Sequence, residues 1–346
     1  MSLLGQSKWN VAVIGATGAV GREMISILEE KEFPVAKLRL FASEKSFGQT
    51  LRFRGQELPI EVLAKDHLAP FENIDIALVS VGSRISQEFL PLIAERGTVC
   101  IDNSSAWRMD PDVPLIVPEV NASALSGFRQ KNIIANPNCS TIQMVQVLKP
   151  IHDAYQIKRV VVSTYQSTSG KGQKGIEELS KQTIALLNQK EIKTEAFPHQ
   201  IAFNCIPHID QFDEEGYTFE EKKMMLETVK ILEDASIRVT ATCVRVPVFS
   251  CHGESINIET ERNASADEIR ALLSQTKGLK VVDDPTKNLY PTHILGVNQD
   301  DTFVGRIRED HSVENGVHLW VVSDNLRKGA ALNAVQIAGA LSREFL

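Results

Sequence analysis

The chain has 346 residues, 43% of them hydrophobic and 23% charged, with a formal net charge of −7. That length accommodates two domains, each with its own core. The acidic balance gives no support for a nucleic-acid or anionic-membrane partner, and no run of 18 uncharged apolar residues offers a membrane span.

The opening "MSLLGQSKWNVAVIG" lacks the layout of a secretory signal, because its short apolar run leads straight into a glycine loop. With no export signal, five cysteines, an odd number, read as reduced thiols in a cytoplasm. No CxxC or HxxxH spacing supports a metal site.

"VAVIG", Val11 to Gly15, is a predicted buried strand. "AVGREMISILEEK" follows with Val20, Met24, Ile27 and Leu28 at helical spacing. Between them lies "GATGAVG", with Gly15, Gly18 and Gly21 spaced GxxGxxG. In a strand–loop–helix setting such glycines allow a tight turn, close approach of a pyrophosphate and close helix packing. The helix start adds free amides and a partial positive charge. The loop from Gly15 to Gly21 is therefore a candidate pyrophosphate site, against the plainer reading of a structural turn. "AKLRLFAS" is the second strand. An NAD site places an acid at its end, but "FASEKS" offers Ser43, Lys45 and Ser46, which suit the 2′-phosphate of NADP; Glu44 opposes this unless it points away. "DIALVSVG", a helix over "SQEFLPLIAERG" and a strand in "TVCIDNSS" continue the rhythm. This predicts an α/β, Rossmann-like domain with a parallel sheet. Arg108 follows in "DNSSAWRM", at a sheet end where ligand loops gather.

"NIIA" is a short strand, Pro137 breaks it, and Asn138 can cap the helix begun by "STIQMVQVLKPI". Cys139 then falls at a helix N-terminus, which favours a thiolate and so a nucleophile. A buried structural thiol is the competing reading. Cys100, Cys205 and Cys243 lie in apolar runs and read as core, and Cys251 also reads as structural.

Beyond residue 133 the pattern shifts. "KRVVVSTYQSTS" is a β-branched strand, and "GIEELSKQTIALLNQ" and "FEEKKMMLETVKILED" are helices. Long alternating segments from Ile237 to Thr260, from Asp301 to Asp310 and from Gly316 to Asp324 predict a mixed or antiparallel sheet. Ser265 and Glu268 form a capping box. The expected division is residues 1–133 with 326–346 as the NADP-binding domain, and 134–325 as an α+β catalytic domain. The small-residue-rich C-terminal helix returns to the first domain. "CVRVPVFSCHGES" supplies Arg245, suited to gripping a carboxylate, and His252, a proton carrier near neutral pH. Glu227 and Lys230 in "ETVK" share a helical face, and their bland reading is a solvated ion pair.

Together "GATGAVG", "NSSAWRM", "NPNCST", "STYQSTSGKG", "RVPVFSCHGES" and "SDNLRKGAALNAVQIA" resemble, across the whole chain, the aspartate-β-semialdehyde dehydrogenases, in a bacterial, Gram-positive-like branch. The resemblance implies NADPH-dependent reduction of L-4-aspartyl phosphate to L-aspartate 4-semialdehyde in amino-acid biosynthesis. It makes Cys139 the acyl-carrying nucleophile, His252 the acid/base and Gln166 an orienting residue. Arg245 would hold the substrate carboxylate, Glu227 its ammonium, and Arg108 with Lys230 its phosphate. Cofactor contacts carry over to Thr17, Gly18, Ala19, Val20, Lys45, Ser46, Ser169, Gly170 and Asn325. Lys45 stands where the family often has arginine, keeping charge but losing a fork. A homodimer through the second domain, or a tetramer, is also implied. The alternatives are an N-acetyl-γ-glutamyl-phosphate reductase, whose blocked amine would leave Glu227 without a partner, and a non-catalytic NADP-binding paralogue.

Overall fold

β1 (Trp9–Ile14) starts the fold as an apolar strand whose last four residues are buried. The computed structural model describes residues 8–65 and 67–346; the opening stretch, read above as lacking a signal layout, lies outside them up to Ser7. The chain divides into two units, residues 1–137 with 330–346 and residues 138–329. The expected boundaries at 133 and 325 each fall four residues earlier.

In the first unit β1 leads through the glycine loop into α1 (Ala19–Glu30) and on to β2 (Val35–Ala42). A hairpin of β3 (Thr50–Phe53) and β4 (Gln56–Val62) follows, then β5 (Ile76–Val79), α2 (Ser83–Ala94), β6 (Val99–Asp102), the short α3 (Pro118–Asn121) and β7 (Ile133–Ala135). The strand order is β3-β4-β2-β1-β5-β6-β7, and every neighbouring pair except β3–β4 is parallel. The hairpin carried no strong sequence signal, since Arg54-Gly55 stands where Asn-Gly or Asp-Gly is usual. Both residues nevertheless take positive φ, 48° and 80°, as its tight turn demands. The C-terminal helix (Leu332–Glu344) packs on α1 and the sheet. It delivers Leu332, Val335, Ile337, Ala338 and Leu341 to the core that holds Met24, Ile27, Leu28 and Ile101.

The second unit centres on α4 (Cys139–Tyr155), in which Ser140 through Leu148 are all buried. Around it come β8 (Ile157–Gln166), α5 (Gln173–Leu187), α6 (Phe219–Leu232), β9 (Arg238–Arg245), β10 (His252–Thr260) and α7 (Ala266–Ser274). The unit closes with β11 (Leu279–Val281), α8 (His293–Gly296), β12 (Thr302–Asp310) and β13 (Gly316–Ser323). The sheet order is β11-β12-β13-β10-β8-β9, with β8–β9 and β11–β12 parallel and the remaining pairs antiparallel. The sheet is therefore mixed. The capping box at Ser265 is present, and a second one, Thr218 with Glu221, starts α6.

Candidate active site

In the first unit the three glycines of the loop have different reasons. Gly15 has φ +86°, and a Cβ there would lie 2.1 Å from the Ser80 carbonyl oxygen. At Gly21 a Cβ would lie 2.2 Å from the Gly15 carbonyl oxygen. Those two glycines fix the turn and the helix packing. At Gly18 a Cβ would meet only the Gly15 oxygen, at 3.4 Å, so the turn itself does not require glycine there. Gly18 is the N-cap of α1 and provides no side-chain cap. An exposed glycine at a helix start with no side-chain cap fits a phosphate group.

Thr17 Oγ1 lies 3.2 Å from Ser46 Oγ, tying the loop to the turn after β2. Ser43, Glu44 and Lys45 are exposed there, whereas Ser46 is buried. A flexible lysine and an unburied serine at that strand end fit a 2′-phosphate, and the end of β2 holds no buried acid for a ribose hydroxyl.

Arg108 is buried in the loop after β6. Its Nε donates to the Asn136 carbonyl at 3.0 Å and its Nη2 to that of Asn103 at 2.8 Å. Asp102 organises the loop by accepting from the Ser104 amide, the Ser104 hydroxyl and the Ser86 hydroxyl. Burial raises the Asp102 carboxyl, against the pull of these donors and of Arg108.

The second unit carries the nucleophile candidate. Asn138 caps α4, accepting at Oδ1 from the amides of Ser140 (3.0 Å) and Thr141 (3.2 Å). Cys139 is the first helical residue and is half-buried. Its site is where a helix best supports an anion. A Cβ on Gly329 would approach the Cys139 Cβ to 2.9 Å, so the glycine keeps room beside the thiol.

Strand register assembles the rest. Arg245 ends β9 and pairs with Gln166, which ends β8; Gln166 pairs with His252, which opens β10. The three stand side by side in one row across three strands, and all are buried. Arg245 Nη1 donates to the Ser167 carbonyl at 2.6 Å. A Cβ on Gly170 would lie 2.8 Å from that Nη1 and 3.4 Å from His252 Nε2, so Gly170 is where the two meet. Arg245 also interacts electrostatically with Cys139.

His252 Nδ1 accepts the Ser167 amide at 3.1 Å, which assigns the proton of the neutral ring to Nε2. That Nε2 is buried and has no partner among the described residues. Burial, reinforced by the Arg245 charge, holds His252 well below the usual histidine range. Asn325 fastens the loop from 167 to 170: its Oδ1 accepts from Ser167 Oγ, Ser169 Oγ and the Cys251 amide. The Ser169 hydroxyl and the Asn325 carbonyl oxygen are thus engaged within the protein, and their placement orders the loop.

Glu227 corrects the bland reading of "ETVK". It is 1% exposed, and its Oε2 accepts the Asn138 amide at 2.7 Å. Lys230 is half-buried in the last turn of α6. Cys205 also departs from expectation. It is exposed, in a loop that Phe203 enters with φ +60°, so its apolar neighbours in sequence form no strand. Cys100, Cys243 and Cys251 are buried, and burial pushes their thiols up.

Sequence reasoning missed Glu220 and Gly329. Glu220 lies two residues after the cap Thr218, and recognising the Thr218–Glu221 box would have placed it in the first turn of α6. It missed Glu254 as well. This residue lies two beyond His252, is fully buried, and has neither carboxyl oxygen partnered among the described residues. Burial raises it well above the usual range. Between the unfolded and the folded value only the unfolded chain releases the proton, so stability falls as pH rises through that window. Glu254→Gln removes this term. The variant is expected to melt higher than the parent at pH 8 and to lose the advantage near pH 4, worth about 1–3 kcal/mol at most. Thermal denaturation at both pH values checks it, and a variant that melts lower at pH 8 refutes it.

The glycine loop fits a dinucleotide, and the row Arg245–Gln166–His252 lies in the unit that carries the helix-start cysteine. Two family models match: "Semialdehyde dehydrogenase, NAD binding domain" over residues 10–128 and "Semialdehyde dehydrogenase, dimerisation domain" over 148–328. Aspartate-semialdehyde dehydrogenase of Aquifex aeolicus is 56% identical over 339 residues, 98% of this chain and 99% of its own. That of Legionella pneumophila is 51% identical over 97% of this chain and 96% of its own. The crystal structure of aspartate semialdehyde dehydrogenase II from Vibrio cholerae superposes with a TM-score of 0.95 at 50% identity, covering 98% of this chain and 100% of that one. The same enzyme complexed with ASA gives 0.95 at 49%, covering 99% and 100%. The chain belongs to the aspartate-semialdehyde dehydrogenase family.

Proposed function

We propose that the protein reduces L-4-aspartyl phosphate to L-aspartate 4-semialdehyde with NADPH, releasing phosphate, in the biosynthesis of lysine, threonine, methionine and diaminopimelate. The observation that carries this reading is the register row Arg245–Gln166–His252 on one sheet with Cys139 at the capped start of α4. The identity of the relatives over nearly the whole chain supports it.

In this mechanism the α4 amides and the Arg245 charge stabilise the Cys139 thiolate, which attacks the acyl carbonyl. The C–O bond to phosphate breaks, phosphate leaves, and a thioester remains on Sγ. When bound, the nicotinamide of NADPH supplies the hydride that reduces such an acyl group. The chain's part is then to manage the oxygen. His252 Nε2–H donates to the alkoxide of the thiohemiacetal and holds that proton while the C–S bond breaks, returning thiolate and aldehyde. Arg245 grips the α-carboxylate and Glu227 the ammonium, while Lys230 and Arg108 take the phosphate. Gly15, Thr17, Gly18, Ala19, Val20, Ser43, Lys45 and Ser46 hold the cofactor, and Ser169, Gly170 and Asn325 shape its reactive end.

Association as a homodimer in the cytoplasm completes the proposal. It is supported by the description of the matching second-domain family and by exposed Tyr165, Leu289, Tyr290 and Ile294 in the second unit. No helix among the described residues is long and apolar enough to cross a membrane.

Purified protein mixed with L-aspartate semialdehyde, phosphate and NADP is expected to generate NADPH absorbance. No signal there, with signal from the N-acetylglutamyl semialdehyde, overturns the substrate assignment. Silence with both substrates favours the non-catalytic paralogue.

A further inference from the structure

Asn138 precedes Cys139, Gln166 bonds Ser140 after it, and one buried anion touches both side-chain amides. Glu220, in the first turn of α6, is 6% exposed. Its Oε1 accepts from Asn138 Nδ2 at 2.9 Å and from Gln166 Nε2 at 3.2 Å. Its Oε2 faces Lys223 Nζ at 3.3 Å. Burial favours the neutral acid, but Lys223, the two amide donors and Arg245 together outweigh it and hold the carboxyl below its ordinary value. An ionised carboxylate only accepts, so each amide must turn its NH2 group toward it.

For Asn138 this orientation leaves Oδ1 to cap α4, where it accepts from Ser140 and Thr141. For Gln166 both amide hydrogens are used, one on Glu220 and one on Ser140 Oγ at 2.7 Å. The group that Gln166 offers to a substrate is then its Oε1, an acceptor, standing in the row between the donors Arg245 and His252.

We propose that Glu220 is a positioning residue for this reaction: its carboxylate sets the amide orientations of Asn138 and Gln166, so that the cysteine helix stays capped and Gln166 presents an acceptor to the substrate. The inference rests on the proposed dehydrogenase activity. It goes beyond that reading by excluding Gln166 as a donor to the alkoxide, which leaves that task to His252.

Glu220→Gln keeps the shape but replaces an obligate acceptor by an amide that also donates. In the assay above kcat is expected to fall about 10–100-fold, as for a misplaced reacting group, with KM for L-aspartate semialdehyde within about threefold. The distinguishing readout is a double-mutant cycle. In a Gln166→Ala background the same change is expected to lower kcat by a clearly smaller factor, because only its effect through Asn138 remains. Equal losses in both backgrounds, a wild-type-like Glu220→Gln enzyme, or a loss confined to KM would each overturn the proposal. Should Glu220→Gln fail to show a cooperative melt, Glu220→Ala is taken through the same cycle with the same criteria. An inactive parent enzyme would be a failure of the functional reading instead, visible before any variant is made.

Discussion

Cys139→Ala is expected to lower turnover by about 10⁴-fold or more, while the affinity for NADP changes less than about twofold. The side chain it removes is the only one in the site that can carry an acyl group through a hydride transfer. The structural cost is small. Asn138 still caps α4 through backbone amides that the substitution leaves in place, and alanine fits the space that Gly329 keeps open beside Cys139. The measurement pairs steady-state turnover with a fluorescence titration of NADP. A variant retaining a few per cent of the rate would remove Cys139 from the chemistry, and a variant that lost cofactor binding as well would point to misfolding.

His252→Asn is expected to lower kcat by about 10²–10⁴-fold, the range for loss of a positioned acid. The rate at which Cys139 is alkylated at neutral pH should change little. Nδ1 is occupied by the Ser167 amide, so Nε2 carries the proton of the neutral ring and cannot take one from sulfur. Thiolate support comes from the start of α4 and from Arg245 instead. The pH dependence follows the direction of the shift. With its proton affinity lowered by burial and by Arg245, His252 stays neutral down to pH values well under 6.5. A limb caused by its protonation therefore belongs on the acid side of 6.5. A strongly slowed alkylation in His252→Asn would show that the histidine activates the thiol, contrary to this assignment.

Much of this was legible in the sequence because the signals are local. The spacing of Val20, Met24, Ile27 and Leu28 specifies α1, and a proline followed by asparagine specifies where α4 begins. Both depend on residues within one or two turns of each other. The β3–β4 hairpin was not legible, since its turn uses an arginine at positive φ. The side-by-side placement of Arg245, Gln166 and His252 was equally hidden. It depends on the register of strands whose paired residues are 79 and 86 positions apart in sequence, which no local pattern encodes. Glu227 illustrates the same limit in the opposite sense. A glutamate three residues before a lysine looks like a solvated pair, and only the packing of α6 against α4 turns it into a buried acceptor for the Asn138 amide. Glu220 shared that fate: its neighbours Asn138 and Gln166 are 82 and 54 positions away.

The division of the chain also sets an order of assembly. Residues 138–329 form one uninterrupted stretch, whereas the first unit is made of two pieces. Its glycine-loop sheet leaves the ribosome early, but Leu332, Val335, Ile337 and Leu341, which fill part of its core, leave only after residues 138–329. The later-encoded unit can finish folding while the earlier-encoded sheet still waits for its closing helix. For that interval the apolar residues of α1 and its sheet that the closing helix covers stand exposed, the kind of surface on which folding intermediates aggregate.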